Sequence, residues 1–144
     1  MADFINTVDV IGDEALMDSI IDRSITEFHD ETITTVGEYA FYGCNALAKV
    51  DVPNVTSIAA YSLYGCSGLY ALVLRGSSVA TLGNTYALTN SGIAKTIGYV
   101  YVPRALVDSY KAATNWSTYA DQFRALEDYT VDGTVTGDLD ETKI

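Results

Sequence analysis

The chain has 144 residues, the length of one domain, and 49% of them are hydrophobic, which excludes bulk disorder. Nineteen acidic against eight basic residues give a formal net charge of −11, with the basic residues scattered singly, and this argues against binding nucleic-acid phosphates. No run approaches the roughly 18–20 consecutive apolar residues of a membrane span, so no membrane association is expected.

Residues 1–11 carry Phe4, Ile5, Val8, Val10 and Ile11 in loose alternation and predict a short strand or an arm. They contain no basic region followed by an apolar one, so no signal peptide is expected. The expected location is therefore the cytoplasm of the producing cell or a virion released by lysis. Residues 13–23 predict a helix. Asp13 can cap it, and Glu14 and Arg23 suit its positive and negative ends. Leu16, Met17, Ile20 and Ile21 make its apolar face.

The stretch 36–74 is one unit written twice. Val36, Tyr39, Phe41, Tyr42, Gly43, Cys44, Leu47, Val50 and Val52 return at one constant offset as Ile58, Tyr61, Leu63, Tyr64, Gly65, Cys66, Leu69, Leu72 and Leu74. A fixed period in the low twenties with an L-x-x-L-x-L core is the signature of a leucine-rich-repeat solenoid. One such repeat cannot bury its apolar face alone, so neighbours stack, and the helix at 13–23 is the expected cap on the first open end. Residues 25–28 fit a degenerate first strand, with Asp30 at the last apolar position. In each strand the leucine-type residues point inward, and Lys49, Asp51, Ala71 and Val73 are expected to point out. Pro53 halts pairing after its strand. The segment from each tyrosine to the Gly-Cys pair predicts a one-turn helical or 3₁₀ piece ended by Gly43 or Gly65.

The pattern returns at Ile97, Val100 and Val102, later than the offset that relates Leu47, Val50 and Val52 to Leu69, Leu72 and Leu74. The extra residues predict a loop over 81–95, and loops on rigid scaffolds often carry function. Residues 104–113 and 116–126 predict two short closing helices, with Leu106, Val107 and Tyr110 on one and Trp116, Tyr119, Ala120 and Phe123 on the other. Asp132-Gly133 between β-prone runs predicts a small hairpin or arm, followed by an acidic tail.

Little in the chain reads as catalytic chemistry. Cys44 and Cys66 are read as buried, reduced thiols, although coils about 4.8 Å apart would allow a disulfide. With one histidine and two cysteines, no tetrahedral metal set is expected. His29 beside Asp30 and Glu31 lacks a nucleophile motif and is read as a solvated turn residue. Asp138, Asp140 and Glu141 miss the EF-hand spacing, so no calcium site is expected. No pair of carboxylates stands out for glycoside hydrolysis. No cofactor is predicted.

Eleven tyrosines are the most suggestive feature. Tyr39/Tyr61 and Tyr42/Tyr64 recur at the repeat offset and read first as half-buried ladder residues. Tyr70, Tyr99 and Tyr101 are expected to face outward. The candidate partner surface is therefore a strand face of Lys49, Asp51, Tyr70, Ala71, Val73, Tyr99 and Tyr101, together with Asn84, Tyr86 and Asn90 on the loop.

Ala40-Phe41-Tyr42-Gly43-Cys44-Asn45-Ala46-Leu47, followed by Val50, Val52 and Pro53, resembles the BspA-type leucine-rich repeat, whose core is Ala-Phe-x-x-Cys-x-x-Leu. Leu63 departs from it. The run from Tyr99 to Tyr119 resembles the closing segment of such proteins in gut Firmicutes and their prophages, and the whole chain resembles short prophage-encoded members. That resemblance implies a binding module, an adhesin in large members and a virion component in small ones.

The expected fold is therefore α/β, a short leucine-rich-repeat solenoid of about 3–4 coils with parallel strands, an N-terminal helical cap and a C-terminal helical closure. Residues 1–128 form the domain: 1–24 arm and cap, 25–103 repeats, 104–128 closure. Residues 129–144 form an acidic tail. The expected function is a non-enzymatic phage virion or host-recognition component, a homo-oligomer or particle subunit with a protein or glycan partner. The alternatives are a generic adhesin or interaction module and, remotely, a carbohydrate-active enzyme.

Overall fold

The computed structural model describes residues 25–128 and the strand backbones at 130–131 and 134–135. The expected arm at 1–11, the helix at 13–23 and the acidic residues after 135 lie outside the described residues.

The sequence period becomes a ladder of parallel strands. β1 (Glu27–His29), β3 (Lys49–Asp51), β5 (Ala71–Val73), β7 (Tyr99–Val102) and β8 (Phe123–Ala125) form a five-stranded sheet in that order. β2 (Thr35–Val36), β4 (Ser57–Ile58) and β6 (Thr81–Leu82) form a second, three-stranded parallel sheet. The register follows from the repeat: Glu27 pairs with Lys49 and Lys49 with Ala71, each exactly one repeat further along the chain. Equivalent side chains therefore stack. Phe28, Val50, Leu72, Val100 and Phe123 make one continuous inward row, each no more than 2% exposed. Each such side chain contributes about 1.5–3 kcal/mol by leaving water. Val36, Ile58 and Leu82 close the core from the second sheet.

At the degenerate first strand, Asp30 is buried where later coils hold Val52 and Leu74. Its carboxylate accepts from the Thr32 N–H at 2.7 Å and the Thr32 hydroxyl at 2.6 Å, which offsets the cost of burying it.

Between the sheets the chain makes turns closed by bonds that span three positions, in place of the expected helical or 3₁₀ piece, because Tyr39 and Tyr61 are left-handed. Tyr42 N–H donates to Tyr39 O, Cys44 N–H to Phe41 O and Leu47 N–H to Cys44 O, and the second coil repeats all three bonds. Gly43 and Gly65 have φ of +74° and +77°, where a side chain is strained. Cys44 and Cys66 are buried and not joined in a disulfide, and the Cys66 thiol donates to Phe41 O at 3.1 Å.

The third coil differs from the expected loop over 81–95. It holds β6, paired to β4, and a 3₁₀ turn at Thr85–Ala87. The extra residues are spread around the coil. The step from Ser57 to its partner Thr81 is longer than the repeat, and the step from Ala71 to Tyr99 is longer still. Each insertion is small enough for the ladder to resume after it. The leucine-type position also moves: Ile93 is buried, whereas Ile97 is 60% exposed. Ile97 and Gly98 both donate to Gly92 O, so 94–96 bulges outward and carries Ile97 with it.

Residues 104–112 are helical, a 3₁₀ turn at Arg104–Leu106 running into α1 (Val107–Ala112). The second expected closing helix is only half right. Trp116–Gln122 is a pair of 3₁₀ turns that meet at a kink at Tyr119 (φ −112°, ψ 27°), with Trp116, Tyr119 and Gln122 buried at a spacing of three, and the chain then becomes β8. Phe123 and Ala125 alternate inward, and pairing with the open edge of β7 satisfies backbone groups that a helix end would leave unpaired. The buried Gln122 amide donates to Gly98 O at 2.8 Å and holds this segment to the third coil. Tyr110, Trp116 and Phe123 pack ring against ring, 5.4–5.8 Å apart, at the end of the core. Beyond them β9 (Thr130–Val131) pairs antiparallel with β10 (Thr134–Val135), Val131 opposite Thr134, and Asp132-Gly133 lies outside the described residues.

Candidate functional site

The turn side of the solenoid carries a wall of five tyrosines. Tyr39 stacks on Tyr61 with centroids 5.2 Å apart and planes 3° from parallel. Tyr61 stacks on Tyr86 at 5.4 Å and 3°. Beside this column Tyr42 stacks on Tyr64 at 5.1 Å and 6°. Tilted contacts join the columns, Tyr39 to Tyr42 at 5.5 Å and Tyr61 to Tyr64 at 5.8 Å. Tyr39, Tyr42, Tyr61 and Tyr64 are half-buried, and Tyr86 is 51% exposed.

The backbone explains the alignment. Phe41 N–H donates to Ser62 O and Gly43 N–H to Tyr64 O, then Leu63 N–H donates to Ala87 O and Gly65 N–H to Thr89 O. Successive turns thus hydrogen-bond to one another, and their rings sit about one coil spacing apart. Tyr39 and Tyr61 adopt φ of 62° and 61°, left-handed values that a bulky residue rarely takes. In the third coil Asn90, φ 62°, occupies the turn that glycine makes earlier, a conformation asparagine tolerates. Its Nδ2 donates to the Tyr64 hydroxyl at 3.3 Å and so continues the shorter column.

The structure joins two features that the sequence presents separately. The ladder tyrosines and two of the loop candidates, Tyr86 and Asn90, form one surface. Asn84, the third, is half-buried just before the 3₁₀ turn. The signal in the sequence is the repeat offset of Tyr39/Tyr61, which extends to Tyr86 only once the third coil's insertions are located.

The strand face is a correction. In place of an exposed row, Ala71, Val73 and Tyr101 are fully buried and Asp51 is 7% exposed. Ala71, Val73, Tyr101 and Leu126 form a second apolar cluster on the outer side of the five-stranded sheet, with Tyr70 and Tyr99 packed against it. Small residues in the middle of the ladder leave room for larger neighbours to close over them. Tyr99 is half-buried beneath the Arg124 guanidinium, 4.2 Å from its ring centroid. The other end of this face is charged. Arg75 grips Asp51 with two bonds, Nε to Oδ1 at 3.1 Å and Nη2 to Oδ2 at 3.0 Å. His29 lies 3.2 Å from Glu31 and 3.6 Å from Asp51. With Glu27, Phe28, Lys49 and Pro53 these residues line an open cavity of about 540 Å³. Among the described residues no group of three or more His, Cys, Asp or Glu is placed to hold a metal ion. No helix among them is long and apolar enough to cross a membrane.

Parallel strands in a register equal to the sequence repeat, with an inward apolar row and a repeated surface column, define a leucine-rich-repeat solenoid. Such domains generally mediate protein binding. The chain belongs to the BspA type: the BspA type leucine rich repeat region (6 copies) matches residues 2–99. No curated protein matches the chain.

Proposed function

We propose that this chain is a non-enzymatic binding module whose contact surface is the tyrosine wall, with a protein or a glycan as partner. The observation that carries this reading is the set of five aligned, partly exposed rings. Tyrosine gives large contact area at low entropic cost, and its hydroxyl serves a polar partner as well. Lys49, Tyr70 and Tyr99, the half-exposed members of the strand face, form a second and smaller contact area.

The test is an array of surface proteins and glycans probed with the full chain. Hits that vanish in Tyr64→Ala and Tyr86→Ala but persist in Lys49→Ala and Tyr99→Ala support the wall. Hits that follow the reverse pattern move the site to the strand face, and hits indifferent to both sets overturn the reading.

In its finer form the reading places the module on a phage particle, as a virion or host-recognition component. It would be a homo-oligomer there, joined through its terminal segments, and would reside in the producing cell's cytoplasm before assembly. The resemblance of residues 99–119 to the closing segment of such proteins in gut Firmicutes and their prophages, and of the whole chain to short prophage-encoded members, supports this setting. Mass spectrometry of induced particles tests it: absence from purified virions leaves the generic interaction module, which uses the same wall.

A further inference from the structure

The tyrosine column has one open end. Tyr61 has a ring on each face, Tyr39 at 5.2 Å and Tyr86 at 5.4 Å. Tyr86 has a ring on one face only among the described residues and is half exposed. The segment packed against this rung holds it without adding a ring. Asn115 Nδ2 donates to Leu82 O at 2.7 Å, and the Tyr119 hydroxyl donates to Thr85 O at 2.7 Å. The exposed side chains between them are the small Ser117 and Thr118. The last rung is therefore fixed at its base, half exposed, and without a ring on its second face among the described residues.

Which faces are already covered decides what the wall can recognise. In a parallel stack, faces meet neighbouring rings and edges meet solvent. A flat ligand group that needs a ring face finds one on Tyr86. The face of a phenol ring is the negative part of its quadrupole, so it favours a cation. The whole chain carries 19 acidic and 8 basic residues, so its long-range field favours encounter with a basic partner over an acidic one.

We infer, on the reading of the wall as the contact surface, that the open face of Tyr86 seats an arginine guanidinium of a basic protein partner. Guanidinium is planar and weakly hydrated, so it continues the column as a further parallel plate, whereas the lysine ammonium is a compact, strongly hydrated point charge. The chain uses the same pairing internally, where Arg124 lies 4.2 Å from the centre of the Tyr99 ring. A pyranose ring also stacks on aromatic faces, but it is neutral and gains nothing from the charge of −11.

The experiment uses the full chain with tyrosine rings labelled for NMR. The probes are acetylated octapeptides of alternating glycine and arginine, the same with lysine, and chitohexaose as a neutral sugar. The arginine peptide is expected to shift the Tyr86 ring signals and to bind about fivefold more tightly than the lysine peptide. Tyr86→Phe keeps that preference, because it keeps the face, and Tyr86→Leu removes it. Tyr86 is exposed, so both variants fold, which their unshifted core signals verify. Equal affinities for the two peptides, indifferent to Tyr86→Leu, mean bulk charge alone and overturn the inference. A Tyr86 response to chitohexaose that exceeds the response to the arginine peptide also overturns it, in favour of a sugar platform. In either case array hits that still depend on the wall preserve the wider reading, and hits that ignore the wall remove both.

Discussion

Tyr61 and Tyr86 stack in parallel, 5.4 Å apart, although the chain between them departs from the period of the earlier coils. The contact shows that the insertions in the third coil are absorbed without breaking the column. Tyr61 loses stacked partners on both sides when truncated, and Tyr86 on one side only. Aromatic pairs contribute about 0.5–1.5 kcal/mol each beyond burial. Tyr61→Ala is therefore expected to cost about 3 kcal/mol and Tyr86→Ala about 1 kcal/mol, read by urea denaturation. Equal costs would mean that the column contributes nothing to stability.

Ser62 is fully buried, and its hydroxyl has no hydrogen-bond partner among the described residues. The equivalent place in the first coil holds Ala40, which is also fully buried. A buried, unpaired hydroxyl costs about 1–3 kcal/mol. Ser62→Ala should raise the stability by about 1 kcal/mol, seen as a higher Tm with an unchanged denaturant m-value.

Gly92 and Gly98 both lie against the backbone of Leu69, and a Cβ on Gly92 would overlap the Leu69 carbonyl oxygen. That oxygen belongs to the backbone, so the coils themselves would have to part. Gly92→Ala should cost at least about 3 kcal/mol, read by the same denaturation. At Gly76 the nearest atoms would be 3.8 Å from a Cβ, so Gly76→Ala should be neutral or stabilise by up to about 1 kcal/mol.

Two phenols predict the alkaline limit. Burial raises the pKa of Tyr110 above the ordinary 10.0, against a smaller opposing effect of the hydrogen bond from Ala80. Burial likewise raises that of Tyr119, against the hydrogen bond with Thr89. Above the ordinary tyrosine pKa the unfolded chain ionises first. The contribution of these phenols is thus complete below that pH and falls as pH rises toward their folded values. Denaturation midpoints should drop steadily above about pH 10. Tyr110→Phe should flatten part of that slope, and at neutral pH it should cost about 1–3 kcal/mol, because the Ala80 N–H loses the phenol oxygen 2.8 Å away. An identical slope in the variant would place the alkaline transition elsewhere.

The parts that follow the period are legible residue by residue. The pairing of Phe28 with Val50 and Val50 with Leu72 restates the repeat offset, because in a solenoid a sequence period and a strand register are the same quantity. The parts that break the period are not. An apolar pattern alone does not say whether Ile93 or Ile97 fills the core, since the choice rests on where the chain bulges between Gly92 and Gly98. Likewise the apolar spacing of Trp116, Tyr119 and Phe123 is compatible with a helix until the unpaired edge of β7 is in place to capture Phe123–Ala125 as a strand.

The repeat, the inward row, the burial of both thiols and the recurrence of tyrosine at two positions per coil all follow from the order of residues. These are local or periodic properties, and stacking similar coils requires no further information. Which outward residues stay outward depends instead on distant parts of the chain meeting in space. Alternation places Ala71, Val73 and Tyr101 on the outer side of the sheet. Whether water reaches them depends on Leu126, which is remote from all three in sequence and arrives through a fifth strand. The extent of the surface column has the same origin. Among the described residues it runs to Tyr86 because the added residues of the third coil bring that ring one rung above Tyr61, a sum that no local pattern contains.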